Sequence, residues 1–457
     1  MALARRGAAL VLLALVVASA AAAGGPAPVA AQASGDPVRD QGLQWALDVV
    51  GVEEAWSRTR GAGVTVAVVD SGVDLDHEDL VGQVVGHVSC IGAAGDPDRC
   101  RGSGQDDNGH GTHVAGIVAA RAGNGRGVAG VAPEARILAV RVLSERCRAD
   151  ACHAEGAAAD VVAGIRWAVE HGADVINLSL GGGSLQTALG CAFCEAIEEA
   201  WAAGVVSVVA AGNDAILPSG FGDTAAVVVT ATTRDDERAS YSSRNDGILR
   251  SARWPVAAPG GEAEEDPAQC GSGGSPLGII STYLADGGSG YACLAGTSMA
   301  APHVAGALAL LRSAGLGPEE AVEALLATAV DLGPPGRDAT FGFGRIDLAA
   351  AVDRLTATAD AGPDPVGTPT SAPPTAASAA SAPTGPPPSS PTAEGAGPEP
   401  EVVTPDTQVA APFTPDALTG GGGPAEVPGW LVAVALAGIA VTGAGTVGLA
   451  ARVWREG

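Results

Sequence analysis

The stretch VTVAVVDSGVD, residues 64–74, decides how the rest of the chain is read. Val64 to Val69 is an unbroken apolar run rich in β-branched residues, the pattern of a strand buried on both faces of a parallel sheet. It ends on an acid, Asp70, and Ser71-Gly72 follows. In open α/β sheets the functional groups collect at the carboxyl ends of such strands, so Asp70 is a candidate site residue. Working outward, similar runs predict buried strands at Ile137–Val142, Asp174–Leu180, Val205–Ala210 and Ala226–Ala231. Between them, His110–Ala120, Ala157–His171, Cys191–Ala203 and Ser298–Ser313 read as helices. Strands alternating with helices imply an α/β domain with a mainly parallel sheet covered on both faces.

Two further blocks carry chemistry: DDNGHGTHVAG at residues 106–116 and AGTSMAAPHVAG at residues 295–306. With Asp70 they supply an acid, a histidine (His110) and a serine (Ser298), in that order. A serine hydroxyl is a weak nucleophile at neutral pH; it needs an adjacent base, and the base needs an orienting carboxylate. The same triad recurs on unrelated folds in different chain orders, and Asp…His…Ser is one of them. Asp74, Asp76 and Asp79 compete with Asp70, but only Asp70 directly follows the apolar run. His113 competes with His110, and His303 reads as a satisfied core histidine.

The three blocks closely resemble the signatures of the subtilisin-like serine peptidases, the subtilases. The resemblance implies a three-layer subtilisin-like domain from about Gln41 to Leu355. It implies that Ser298 attacks a peptide carbonyl, that His110 is the base with His113 a structural neighbour on the same helix, and that Asp70 orients the base. In VVAAGND, residues 208–214, the family uses the Asn as an oxyanion donor, here Asn213. Ser298 is expected to head a helix whose first turn contains Pro302, where a missing N–H is tolerated. Ser179-Leu180-Gly181 matches the edge that pairs with an extended substrate, and Gly156 stands at the family's glycine in the opposite edge loop, Ala154–Ala159. Calcium as a structural ion is implied at Asp79 and Asn124, with Gln41 or Gln44 contributing; the alternative is that these are turn residues, since few oxygen side chains are present and a hard cation takes six or more oxygens.

The ends of the chain predict its setting. Arg5-Arg6 followed by the apolar stretch Ala8–Val17 reads as a signal peptide within residues 1–33. Only roughly ten to twenty residues then precede the domain, so no large pro-domain is expected. Residues 359–428 are dense in Pro, Ala, Ser, Thr and Gly, the composition of a disordered linker. Trp430–Ala451 carries no charge and is long enough to cross a bilayer of about 30 Å. Arg452 and Arg455 put the tail, residues 452–457, in the cytoplasm by the positive-inside rule. The expectation is a single-pass protein of the cell membrane with its bulk outside, acting on polypeptide substrates. This order of parts is similar to the mycosins, the membrane-anchored subtilases of type VII secretion, which implies a secretion-system membrane complex as partner.

Composition narrows the remaining classes. The 457 residues carry a formal net charge of −26 and no lysine, which argues against nucleic-acid binding. Eight cysteines in an exported chain suggest disulfides. Cys90/Cys100, Cys147/Cys152, Cys191/Cys194 and Cys270/Cys293 are the simplest pairing; the alternative at Cys191–Cys194 is a CxxC redox or zinc site.

Overall fold

The computed structural model describes residues 35–148, 151–180, 191–216, 218–245, 251–262, 270, 276–285 and 288–360, with 402–403 and 408–409. The expected signal peptide, transmembrane segment and cytoplasmic tail, and all but a few residues of the linker, lie outside these. Among the described residues no helix is long and apolar enough to cross a membrane.

Three short helices come first: α1 (Pro37–Asp40), α2 (Trp45–Val49) and α3 (Val52–Trp56). Strands β1 (Thr65–Asp70) and β2 (Val84–Ser89) precede helix α4 (His110–Ala119). Strand β3 (Arg136–Arg141) leads into β4 (Ser144–Arg148) and β5 (Ala151–Ala157), then helix α5 (Ala158–Glu170). Next come β6 (Val175–Leu178), α6 (Cys194–Ala202), β7 (Val206–Ala210), β8 (Ala226–Thr232) and β9 (Trp254–Pro259). Strands β10 (Ile279–Ala285) and β11 (Gly288–Ala295) run into α7 (Thr297–Ser313), followed by α8 (Pro318–Ala327) and α9 (Leu348–Asp360). Two short strands, β12 (Val402–Val403) and β13 (Gln408–Val409), come from the Pro-rich segment.

Seven strands form one sheet in the order β2-β3-β1-β6-β7-β8-β9. Every pairing in it is parallel. Strand β1 shows why the sheet needs cover on both sides. Val66 and Val68 enter a core built with α4, α7 and α8, while Ala67 and Val69 enter a second core with α5 and α6. Side chains two apart along a strand share a face, so one apolar run feeds two cores. The five predicted strands and four predicted helices are all present, with ends shifted by at most three residues.

Strands β2 and β9 were not expected. They form the two edges of the sheet, where the hydrophobic signal weakens. β2 alternates between buried and more exposed residues and carries an irregularity between Val84 and Gly86. β9 contains Pro255 and Pro259, residues that a central strand would exclude. The ordered body also extends past the expected limits: Asp36 and Val38 are fully buried, and α9 continues to Asp360. Antiparallel pairs β4/β5 and β10/β11 lie outside the main sheet. Ala154–Ala157, expected as a loop, is therefore strand.

Candidate active site

Asp70 ends β1 and is completely buried, and His110 opens α4 with 4% of its surface exposed. The Nδ1–H of His110 donates to Asp70 Oδ1 at 2.8 Å. The Ser71 N–H donates to the same oxygen at 2.7 Å. This fixes the imidazole tautomer, with Nε2 as the ring nitrogen left to accept a proton. The approach is close because residue 111 is glycine: a Cβ there would sit 2.0 Å from the Gly72 carbonyl oxygen.

The neighbouring acids do other work. Asp74 accepts from Gln105 Nε2 at 3.1 Å. Asp106, which sequence reasoning passed over, accepts from the N–H groups of Asn108, Gly109 and Thr112 and from the Thr112 hydroxyl, at 2.6–3.0 Å. It thereby satisfies orphan donors at the start of α4, and burial raises its pKa. An acid shortly ahead of a helix start was the available signal. His113 Nε2–H donates to the carbonyls of Ile279 and Ala292, and His303 Nδ1–H to that of Met299. Both rings are buried, which pushes their pKa values down to about 3 and about 4. Both are structural histidines, as expected.

Ser298 lies in the first turn of α7, which packs directly on α4. Its Oγ donates to the Ser179 carbonyl at 3.2 Å. No hydrogen bond joins it to His110 Nε2, which is buried without a partner among the described residues. Such contacts often tighten only when substrate binds. Pro302 needs a correction: it lies in the second turn of α7, where its absent N–H would have bonded the Ser298 carbonyl, four residues earlier. The Ser179 hydroxyl fills that role, donating to the Ser298 carbonyl at 2.8 Å. Asn177 Nδ2 in turn donates to the Ser179 hydroxyl at 2.9 Å. The end of β6 is thus stitched to the start of α7 by a pair of serines.

Asn213 follows β7 and Gly212, whose φ of +105° suits glycine. Its Oδ1 accepts from both the N–H and the hydroxyl of Thr297, each at 2.9 Å. The oxygen is thus held by two donors, and the amide's N–H₂ is the end of this side chain that can donate. Thr297 is a positioning residue that the sequence reading missed.

Of the expected substrate edges, Ser179 and Leu180 follow β6 and are fully buried, and Gly181 lies outside the described residues. Gly156 lies in β5, where a Cβ would come within 2.3 Å of the Val142 carbonyl oxygen, so glycine lets the two backbones meet. All four expected disulfides form, so Cys191 and Cys194 offer no thiolate to a metal in this state.

The residues expected to hold calcium already have partners. Asp79 Oδ1 accepts from Asn124 Nδ2 at 2.8 Å, and Oδ2 from the Val128 N–H and the Tyr291 hydroxyl, each at 2.9 Å. Asn124 Oδ1 accepts from the Arg126 N–H, and Gln44 Oε1 from the Ala129 N–H. Gln41 is exposed. Asp36, a second buried acid, accepts from the N–H groups of Gly123 and Asn124. These side-chain oxygens are thus held by protein donors, and by themselves they fall short of the six or more oxygens that a hard cation takes.

The Subtilase family model matches residues 61–344. Thermitase of Thermoactinomyces vulgaris is 37% identical over 281 residues, covering 60% of this chain and 83% of thermitase. Subtilisin DY of Bacillus licheniformis is 36% identical over 302 residues, 64% of this chain and 92% of that protein. A solved protease structure from Pseudoalteromonas arctica superposes with a TM-score of 0.56 at 30% identity, covering 71% of this chain and all of the other. With the parallel sheet and the Asp70–His110 pair in place, these likenesses establish that the chain belongs to the subtilase family and is a serine-type endopeptidase.

Proposed function

We propose that the protein is a membrane-anchored endopeptidase that works outside the cell through Asp70, His110 and Ser298. The observation carrying this reading is the buried 2.8 Å hydrogen bond between Asp70 Oδ1 and His110 Nδ1–H, beside the start of a helix that bears Ser298. Extended polypeptide lies between Ser179-Leu180-Gly181 and the Gly156 edge and binds through its backbone, which tolerates many side chains. Ser298 Oγ leaves the Ser179 carbonyl and gives its proton to His110 Nε2 as it attacks the scissile carbonyl carbon. Asp70 stabilises the imidazolium that forms. The developing oxyanion is met by Asn213 Nδ2 and by the N–H of Ser298 at the positive end of α7. His110 then protonates the leaving amine, and water hydrolyses the acyl-enzyme.

The domain spans about residues 41–355, preceded by a signal peptide and followed by a linker and the apolar run Trp430–Ala451, which holds it at the cell surface. A fluorophosphonate probe tests the chemistry: it should label the wild-type chain and not Ser298→Ala. A folded wild type that fails to react would end this reading.

A second reading is favoured by the order of parts, with a Pro-rich segment and an apolar run after the domain. The chain is then a mycosin-like component of a secretion-system membrane complex. If Ser298→Ala supports assembly of that complex while deletion of the chain does not, the structural role stands. If both abolish it equally, catalysis alone accounts for the effect.

A further inference from the structure

Strands β12 and β13 come from the Pro-rich segment, yet each pairs with the peptidase domain at a place defined by the active site. β12 lies antiparallel to β5, with Val402 opposite Ala157 and Val403 opposite Gly156. Gly156 is the residue that sequence reasoning assigned to the substrate-binding edge. β13 lies antiparallel to β11, with Gln408 opposite Ala295 and Val409 opposite Leu294. Strand β11 runs straight into Gly296, Thr297 and Ser298, so this contact is three residues from the nucleophile.

The two contacts have the direction that a substrate requires. For Ser298 to cut it, an extended chain must pair with an edge on one side of the nucleophile and continue past the nucleophile on the other. Val402–Val403 sits on the Gly156 edge, and Gln408–Val409, after four intervening residues, lies beside the strand that delivers Ser298. Main-chain pairing to a sheet edge is the mode by which such enzymes hold polypeptide, and here the polypeptide is the chain's own. The roughly forty residues between Asp360 and Val402 can extend well beyond 100 Å, so reach within one molecule is no obstacle. Tethering also makes the segment a ligand at high effective concentration.

We propose that residues 402–409 are an intramolecular substrate, and that the enzyme hydrolyses its own chain at a peptide bond between Val403 and Gln408. This rests on the Asp70–His110–Ser298 chemistry proposed above. Ser298 Oγ attacks the carbonyl carbon and the C–N bond breaks. The leaving amine takes the proton carried by His110, and water hydrolyses the ester. The products are a carboxylate ending the peptidase half and an amine beginning the half that holds Trp430–Ala451. The cut separates the peptidase domain from the apolar run, and until it occurs an external polypeptide must displace this segment to bind.

The test uses the full chain purified in detergent, with its fragments sequenced from their amino termini. Wild type should give a carboxyl-terminal fragment beginning at one of residues 404–408, at a rate independent of protein concentration, and Ser298→Ala should give none. Val402→Pro/Val403→Pro removes the ladder donor, whichever of the two N–H groups faces β5, and should slow the cut about tenfold, while an exogenous peptide is hydrolysed at least as fast as by wild type. A wild type that reacts with fluorophosphonate and hydrolyses the exogenous peptide but leaves these bonds intact overturns the proposal alone. So does a cut that the double proline change does not slow. A wild type that neither reacts nor hydrolyses anything refutes the peptidase chemistry instead. Docking is then read from amide exchange over residues 151–157 and 288–296. Exchange must be slower in Ser298→Ala than in the same chain with both prolines, and equal exchange also overturns the proposal.

Discussion

The exchange of hydrogen bonds between Ser179 and Pro302 makes a quantitative prediction. The Ser298 carbonyl is buried, its usual helical donor is missing because residue 302 is proline, and the Ser179 hydroxyl replaces that donor at 2.8 Å. Ser179→Ala orphans that carbonyl and also deprives Asn177 Nδ2 of its acceptor. A buried polar group left unpaired costs about 1–3 kcal/mol, so the two together should destabilise the domain by about 2–6 kcal/mol. That is a sizeable share of the roughly 5–15 kcal/mol by which domains are stable. Pro302→Ala restores an N–H four residues after Ser298. In the Ser179→Ala background it should recover the carbonyl's part, about 1–3 kcal/mol, while Asn177 stays unpaired. Alone, Pro302→Ala should cost less than about 1 kcal/mol, the scale of a lost proline constraint. Urea unfolding of the four chains, all carrying Ser298→Ala to prevent self-digestion, closes the double-mutant cycle. Effects that add within about 0.5 kcal/mol would refute the exchange. So would a Ser179→Ala cost smaller than that.

Other perturbations follow from the same geometry. Thr297→Val removes one of two donors that hold Asn213 Oδ1, and should lower kcat about fivefold with KM little changed, since the oxyanion forms only after binding. His113 and His303 refuse protons until about pH 3 and about pH 4, whereas an unfolded histidine accepts one near pH 6.5. Stability should therefore fall as pH drops below about 6, by roughly 1.4 kcal/mol per unit for each ring. The buried acids Asp36, Asp79 and Asp106, whose pKa values are raised by burial, work in the opposite sense. The difference in slope between wild type and His303→Gln isolates one ring, and identical slopes would contradict the assignment. Chelation with EDTA should leave the melting temperature within about 1 °C, because the oxygens of Asp79 and Asn124 already accept from protein donors. A large fall would show that these residues bind a cation after all.

The parts of this chain that were legible in the sequence are those where one residue class has a single physical outlet. β1 reads directly because a six-residue apolar run ending in an acid fits a buried parallel strand and little else. Asp70, His110, Ser298 and Asn213 stand out in the sequence because each sits in a distinctive small-residue block. The edge strands were not legible: β2 is half-exposed, and β9 carries prolines that only an edge accepts. Pro302 was placed correctly in its helix but misread by one turn, and that turn decides whether its missing N–H matters. Thr297 and Asp106 act through hydrogen bonds to groups distant in the chain or across a turn, and no periodicity signals such contacts. The surroundings of Asp79 were not legible for a related reason, since residue type shows that it carries oxygens but not that Tyr291, more than two hundred residues away, donates to one of them.

In the proposed chemistry His110, oriented by Asp70, makes Ser298 a nucleophile. The most direct measurement is the rate of fluorophosphonate attachment to Ser298, located by mass spectrometry of digested protein. It is made in wild type, Asp70→Asn and His110→Ala, each with and without the Val402→Pro/Val403→Pro change that frees the cleft. Modification should be confined to Ser298 and slowed at least a hundredfold by either substitution at the Asp70–His110 pair. Modification that proceeds at the wild-type rate in folded His110→Ala, or that persists in Ser298→Ala, would contradict that chemistry.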